Sequence, residues 1–190
     1  AIYHGRPPEA YMWLRNKQSG GGQIVDMTTH IINTLQAVIG EVDSVYAQAT
    51  TGLLTDEPGF VNDDASALAW CLSHDVVANL SNTYALFHAK HTAERHGVQV
   101  HVIGRHLHAW WRGGVLEIIR PEGIETVEGG PDFDAQFAEF AAAARGRRPD
   151  AVQADVAQSL RTLAVTLAAN ESIETGRVVD MREFLVRHGA

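Results

Sequence analysis

The sequence predicts an α+β domain, a mainly antiparallel open sheet of about six strands with helices packed on one face. Short segments in which apolar and polar residues alternate follow one another between residues 42 and 128, with turn residues between them. This pattern is typical of strands joined by hairpins. Beyond residue 132 the apolar residues recur at helical spacing instead. A length of 190 residues suits one hydrophobic core, so we expect the helices to form a second layer on the sheet.

The first 18 residues are predicted to be a connecting segment, and residues 19–190 a single domain. The connecting segment is polar and contains a Pro-Pro pair. Three glycines, Gly20, Gly21 and Gly22, then open a helix. We expect this helix to end near Ile39, because Gly40 stands where a C-terminal glycine cap belongs.

The predicted strands come next along the chain. The first reads VDSVYAQAT, and a hairpin follows in which ASALAWCLS and VVANLSNTYAL meet at His74–Asp75. The later strands are VQVHVIG, then HLHAWWR and VLEIIR around the Gly113–Gly114 turn, then IETVE. The segment FHAKHTAERHG, between VVANLSNTYAL and VQVHVIG, is predicted to be a loop or a short helix.

The last third of the chain predicts two helices that pack on the sheet. The segment DFDAQFAEFAAAARG places three phenylalanines on one helix face: Phe133, Phe137 and Phe140. A helix after Pro149 carries an apolar stripe at helical spacing: Val152, Val156, Leu160, Leu163 and Leu167.

The other face of the sheet must be solvated or paired with another chain. The run HAWWRGGVLEII places tryptophans and branched residues on both faces of its hairpin. This favours pairing, so we expect a homo-oligomer formed through the open sheet face, with Trp110 and Trp111 in core and interface rather than in a ligand site.

Composition narrows the class of protein. The net charge is −8 and the 15 basic residues are dispersed, so we expect no nucleic-acid partner. No apolar run is long enough to span a membrane, and the first residues carry no signal-peptide pattern. The single cysteine, Cys71, lies in an alternating run and is predicted to be buried in a reducing compartment. We therefore expect a cytoplasmic protein without a membrane partner.

The stretch SGGGQIVDMTTH resembles the start of a phosphate-binding loop but fails both known patterns. The dinucleotide fingerprint needs a third glycine where Val25 stands, and a preceding strand that LRNKQ does not form. A Walker loop needs Lys and Ser or Thr where Gln23 and Ile24 stand. Two interpretations stay open: a helix N-terminus that a ligand approaches closely, or a tight turn leading into the helix.

Asp26 and His30 lie four residues apart on the predicted helix and therefore share one face. Asn33 and Ala37 extend that face, and the opposite side carries apolar residues: Ile24, Met27, Ile31, Leu35 and Val38. We expect Asp26 and His30 to point away from the core. A carboxylate beside an imidazole fixes its tautomer, as a general base requires. Spacing alone favours an incidental pair on a solvated face, since such pairs are common on helices. Zinc would need further ligands.

The residues around this pair carry a family resemblance. The stretch WLRNKQSGGGQIVDMTTHIINTLQAVIGEVDSVYAQ resembles the opening of the C-terminal domain of the Gfo/Idh/MocA oxidoreductases, whose pattern is W-R, S-G-G-G, D-x-x-x-H and L-x-G-x-V-x-x-V-x-A. Later segments, from NDDASALAWCLSHDVVANLSNT to SLRTLAVTLAANESIETGRVVDM, resemble the paired strands and the late helices of that domain. The resemblance implies a glyceraldehyde-phosphate-dehydrogenase-like sheet fold.

The resemblance also implies an activity, hydride transfer between a sugar or polyol and NAD or NADP. His30 matches the catalytic histidine that takes the hydroxyl proton, and Asp26 the carboxylate that orients substrate and histidine. The three glycines, Gly20, Gly21 and Gly22, would lie near the nicotinamide. The family usually has an aspartate three residues after the histidine, and in this sequence that position is Asn33. The Rossmann domain, which would bind most of the cofactor, and its E-K-P motif have no counterpart in these residues, so half of an active site is expected.

Further candidates for substrate contacts are Trp13, Arg15, Asn33 and Tyr84, with His88 as a weaker one. Arg15 lies close to the glycines in sequence, where it could hold a substrate oxygen or a cofactor phosphate. Six histidines invite a metal interpretation (88, 91, 96, 101, 106 and 108), but no carboxylate or cysteine accompanies them, so surface or sheet roles are favoured.

The sequence therefore predicts the substrate-binding and oligomerisation domain of an NAD(P)-dependent dehydrogenase. Two alternatives remain open. One is a standalone, non-catalytic module for oligomerisation or carbohydrate binding. The other is a metal-dependent hydrolase or isomerase that uses Asp26 and the histidines.

Overall fold

The computed structural model describes residues 13–56, 58–84, 98–129, 133–146 and 154–189. The chain divides into two compact units, one of Ala1–Leu86 with Gln153–Ala190 and one of Phe87–Val152. Both contain antiparallel strands together with helices, which confirms the α+β class. Hydrogen bonding among the described strands gives two sheets of four strands each, where the sequence predicted a single sheet of about six.

The strands of the first unit are β1 Val42–Thr50, β2 Ala65–Leu72, β3 Val76–Thr83 and the two-residue β8 Val179–Asp180. They form one sheet in the order β3-β2-β1-β8, and every neighbouring pair is antiparallel. The second unit contains the antiparallel meander β4 Gln99–Ile103, β5 His108–Arg112, β6 Val115–Arg120 and β7 Gly123–Glu128. The predicted loop or helix FHAKHTAERHG lies outside the described residues.

The helices are α1 Lys17–Gly20, α2 Thr29–Val38, α3 Phe133–Ala144, α4 Val156–Thr175 and α5 Met181–His188, and a π-helical turn, Ile24–Thr28, leads directly into α2. In the first unit, α4 and α5 pack on β1, and α2 packs on α4. This confirms helices on a sheet face there. Among the described residues, none of the helices combines the length and the apolar character needed to cross a bilayer.

Helix α4 buries a face that its apolar stripe did not predict. The buried residues are Thr162, Val165, Thr166, Ala168, Ala169 and Ser172. Leu160 and Leu167 of the predicted stripe are 60% and 45% exposed. The alanines let α4 approach Val45 and Ala47 of β1, which are fully buried. The hydroxyl groups on this face are satisfied inside the protein; Thr166, for example, donates to the Leu163 carbonyl at 2.7 Å.

The phenylalanine stripe of α3 is also on the outside. Phe133, Phe137 and Phe140 are between 63% and 68% exposed. Cys71, predicted to be buried, is exposed as well. Its neighbours Trp70 and Leu72 are 2% exposed, because alternation along β2 turns every second side chain away from the helices.

The hairpin between β2 and β3 turns where the sequence predicted. His74 and Asp75 have φ values of 66° and 58°, and two consecutive residues with positive φ form the two-residue turn whose twist suits a hairpin.

The inner face of this hairpin changes from apolar to polar along its length. Across the two strands, Leu68 faces Leu80 and Trp70 faces Ala78, whereas at the far end Ser66 faces Asn82. The polar end of the hairpin is where the π-helical turn packs.

Candidate active site

The glycine triplet forms the junction between α1 and the π-helical turn. Asn16 caps α1 by accepting a hydrogen bond from the Gln18 N–H at 2.9 Å. Gly21 ends the helix in the left-handed conformation with φ 76°, and Gly22 follows with φ 88°. Two positive φ values in succession reverse the chain within a few residues, and glycine adopts them without strain.

The chain's own atoms fill the space beside these glycines. A Cβ at Gly20 would lie 2.9 Å from both the ring and the carbonyl of Trp13, and one at Gly22 would lie 3.2 Å from Lys17 Cγ. Turn geometry and internal packing therefore account for the triplet. The proximity of the glycines to a nicotinamide stays a prediction.

The π-helical turn changes which side of the following helix is buried. The fully or nearly buried side chains are those of Ile24, Thr28, Ile32 and Gln36. Met27 and Val38, predicted to face the core, are 42% and 75% exposed. A π-turn holds more residues per turn than an α-helix, so the assignment of Met27 and Val38 to the core-facing side is wrong, whereas Leu35 packs against the core as predicted.

Asp26 lies in the middle of the π-helical turn and is partly buried. The prediction that it points away from the core is wrong, because its Oδ2 accepts a hydrogen bond from the Tyr84 hydroxyl at 3.1 Å. Tyr84 follows β3 directly and is 3% exposed. The carboxylate is therefore fixed by the end of the sheet that packs beneath the helix.

His30 lies in the first turn of α2 and is exposed. Its carbonyl accepts the Thr34 hydroxyl at 2.9 Å. Within the residues that the structure describes, Tyr84 is the partner of the Asp26 carboxylate, and no hydrogen bond joins Asp26 to His30. The imidazole is thus accessible to a ligand while the carboxylate near it in sequence is anchored.

A polar cluster fixes the π-helical turn at its two ends. At the start, Gln23 Oε1 lies 3.1 Å from Ser66 Oγ on β2. At the end, the Thr28 hydroxyl accepts a hydrogen bond from the Asn82 side-chain amide on β3. Asn82 Oδ1 in turn accepts from Ser66 at 2.8 Å. Gln23 and Thr28 are both 1% exposed, so these bonds replace water inside the protein.

The predicted substrate contacts lie at different places in the first unit. Trp13 is 45% exposed and covers Gly20. Arg15 donates to the Pro58 carbonyl at 2.6 Å. The Asn33 side-chain oxygen lies 3.4 Å from the Thr162 hydroxyl of α4. Only Tyr84 among the four is joined to Asp26 by a described hydrogen bond, and the roles of all four stay predictions.

The described residues also show a charged contact that the sequence did not predict. Lys17 Nζ lies 2.8 Å from Asp63 Oδ2. Asp63 sits in the N-D-D loop before β2, where the Asn62 side chain donates to the Leu14 carbonyl at 2.6 Å. Leu14 is 3% exposed, so the last part of the predicted connecting segment packs into the first unit. An open depression beside α1 is lined by Asn16, Lys17, Gln18, Val61 and Glu174, and contains neither Asp26 nor His30.

No metal site is evident in the described part of the chain, where no three His, Cys, Asp or Glu side chains cluster. His101 and His108, on neighbouring strands, have ring centroids 6.3 Å apart, and His101 also packs on Trp110 at 5.6 Å. His88, His91 and His96 lie outside the described residues.

The fold is that of one half of several oxidoreductases of known structure. The Agrobacterium radiobacter oxidoreductase in complex with NAD+, L-tartaric acid and magnesium is similar with a TM-score of 0.72 and 17% identity, over 85% of this chain and 50% of its own. An NAD-binding oxidoreductase from Klebsiella pneumoniae has a TM-score of 0.72 and 20% identity, over 89% of this chain and 53% of its own. Levoglucosan dehydrogenase in complex with NADH and levoglucosan has a TM-score of 0.73 and 16% identity, over 94% of this chain and 55% of its own. The chain therefore spans about half the length of these structures.

The chain belongs to the GFO/IDH/MocA family. The model of the GFO/IDH/MocA C-terminal domain matches residues 1–106, which include Asp26, His30 and Tyr84. A comparison with curated proteins gives no match.

Proposed function

We propose that this chain is the substrate-binding domain of an NAD(P)-dependent dehydrogenase that acts on a sugar or polyol, with His30 as the general base. The observation that carries the proposal is the placement of the D-x-x-x-H pair inside the family match: an exposed imidazole one helical turn beyond a carboxylate that the sheet holds in place.

The chemistry assigned to these residues is the movement of one proton. The exposed imidazole of His30 accepts the proton of a substrate hydroxyl group, and a positioned base of this kind contributes roughly 100- to 10,000-fold to a rate. Asp26, anchored by Tyr84, offers its second carboxylate oxygen to the substrate or to the imidazole. The nicotinamide, when bound, supplies the acceptor for the hydride from the same carbon.

The cofactor would be bound mainly outside these residues. Cβ atoms at Gly20, Gly21 and Gly22 would meet Trp13, Val25 and Lys17 rather than an open cradle. The triplet therefore does not itself form a dinucleotide site, and at most its backbone faces the nicotinamide end. The coverage of about half of NAD-binding oxidoreductases agrees with a separate cofactor domain.

The substrate class rests on the family and on the similar structures. Levoglucosan dehydrogenase binds levoglucosan and, in another structure similar to this chain, L-sorbose. An exposed histidine beside an anchored carboxylate suits a compound with several hydroxyl groups, since both groups accept hydrogen bonds from them.

We also propose a homo-oligomer formed through the sheet of the second unit. One face of β4–β7 is mainly apolar, with Val100, Val102, Trp111, Leu116, Ile118 and Val127 at alternating positions, and the ion pair Arg120–Glu125 lies at its edge. Trp111 and Val127 are 36% and 44% exposed, and a face of this composition is typical of a protein interface.

The free Cys71 supports a reducing, cytoplasmic location.

The proposal is tested in the full-length protein that carries the cofactor domain. Initial rates of NAD(P)+ reduction are measured with a panel of sugars and polyols, for the unaltered protein and for His30→Ala. We expect His30→Ala to lower kcat by about 100-fold or more. His188→Ala is the matched control, since His188 is also exposed but lies at the end of α5. Equal rates for both variants, or no activity with any polyhydroxyl compound, would overturn the proposal.

A further inference from the structure

Tyr84 reaches the π-helical turn from a fixed position at the end of β3. Its backbone N–H donates to the Asp64 carbonyl at 2.8 Å. Its ring meets Phe60 edge-on, with centroids 6.5 Å apart and planes at 89°. With 3% of the residue exposed, the ring has little freedom to move, so the protein and not the solvent sets the place of the hydroxyl group.

The acceptor of this hydroxyl group is the carboxylate in the middle of the π-helical turn. The Tyr84 hydroxyl lies 3.1 Å from Asp26 Oδ2. The π-helical turn has no side-chain cap at its N-terminal end, and its other bonds to the sheet run from Gln23 and Thr28. A carboxylate side chain has several staggered orientations, and a hydrogen bond to a charged group is stronger than one between neutral groups. The Tyr84 contact therefore selects one orientation of Asp26.

We propose that Tyr84 is a positioning residue that acts through Asp26 on the proton-transfer site, and not a substrate contact. The inference rests on the proposed function, since it assigns a task to Asp26 in that site. Burial of the ring keeps Tyr84 away from a ligand, whereas its hydroxyl group holds one oxygen of the Asp26 carboxylate and leaves the other oxygen for the proton-transfer site. A similar role is available to the ring packing of Phe60, which supports Tyr84 in turn.

The first test compares Tyr84→Phe with Tyr46→Phe in the full-length enzyme. Tyr84→Phe keeps the ring on Phe60 and removes only the oxygen. Tyr46→Phe removes a hydroxyl group that Gln48 contacts at 2.7 Å on β1. We expect Tyr84→Phe to lower kcat about 10-fold with KM changed less than about 2-fold, because a misplaced catalytic group slows chemistry more than it weakens binding. Tyr46→Phe is expected to leave both constants unchanged.

A double-mutant cycle separates positioning from a general structural effect. In an Asp26→Ala background, Tyr84→Phe is expected to change kcat by less than about 2-fold, since the group it positions has been removed. A further loss as large as in the unaltered enzyme would show that Tyr84 acts independently of Asp26 and would overturn the inference. Should Tyr84→Phe fail to fold, Phe60→Leu takes its place in the same cycle, with an expected loss of about 3-fold that also disappears without Asp26.

The outcomes distinguish this inference from the proposed function. If His30→Ala abolishes turnover while Tyr84→Phe behaves as Tyr46→Phe does, the positioning role is wrong and the proposed function stands. If His30→Ala retains full turnover, the proposed function is wrong and the positioning role falls with it.

Discussion

Ser172 is predicted to be a major stabilising contact between α4 and β1. Its hydroxyl group accepts a hydrogen bond from the Ala47 N–H at 2.9 Å and donates one to the Arg177 carbonyl at 2.6 Å. Both Ser172 and Ala47 are 0% exposed. Strand β8 pairs with β1 only at Ser44 and Val45, so the ladder ends before Ala47 and the serine completes it.

Replacing this serine by alanine leaves a buried N–H without a partner. An unsatisfied buried group costs about 1–3 kcal/mol. The bond to the Arg177 carbonyl is only partly buried, so its loss adds less. We expect Ser172→Ala to lower the free energy of unfolding by about 2–3 kcal/mol. For a chain of this length that corresponds to a fall in Tm of about 4–12 °C.

The assay is thermal unfolding followed by circular dichroism, with urea denaturation as an independent measure. Ser81→Ala is the control, since Ser81 lies on β3 with its side chain exposed, and surface substitutions usually change stability by less than about 0.5 kcal/mol. Equal Tm values for the two variants would refute the reasoning that the Ser172 hydroxyl completes the β1 ladder.

Two further predictions concern packing and assembly. Val165→Ala is expected to lower the free energy of unfolding by about 2 kcal/mol, because Val165 is 1% exposed and its truncation leaves a cavity. Leu160→Ala should lower it by less than about 1 kcal/mol. Urea denaturation measures both values, and a larger loss for Leu160→Ala than for Val165→Ala would contradict the observed orientation of α4. Trp111→Glu is expected to dissociate the homo-oligomer, since a charge on an apolar interface must be desolvated; sedimentation checks this, with Phe133→Glu on α3 as the control, and an unchanged mass for Trp111→Glu would rule out that sheet face as the interface.

Much of the fold could be predicted from the sequence, because strand alternation and turn residues are local signals. The bounds of β1 and β6 coincide with the segments VDSVYAQAT and VLEIIR. The hairpin turns at His74–Asp75 and Gly113–Gly114 have the positive φ values that two-residue hairpin loops require.

The helix faces could not be predicted in the same way. Helix α4 buries threonine, serine and alanine because close approach and internal hydrogen bonds satisfy them, while its leucines remain outside. Apolar periodicity identifies a helix but does not weigh these contacts. Helix α5 was missed although Asp180 accepts from the Glu183 N–H at 3.0 Å, a pattern in which an acidic residue three positions after the cap is the recognisable signal.

The candidate site shows the same division. The D-x-x-x-H pair could be identified from sequence, but the π-helical turn has no simple sequence signal, so the direction of Asp26 was wrong. Its partner Tyr84 is 58 residues away along the chain, and only the register of β3 against β2 brings it to the turn. A run of inner-face residues that changes from Leu80 to Asn82 was the available hint of a polar end.

The most direct test of the central claim is a crystal structure of the full-length protein with NADH and a polyhydroxyl substrate or inhibitor. The account predicts an imidazole nitrogen of His30 within about 3.2 Å of a substrate hydroxyl group, on the carbon that faces the nicotinamide. It also predicts that the Tyr84 hydroxyl still contacts Asp26. A ligand bound with its reacting carbon away from His30 would contradict the account.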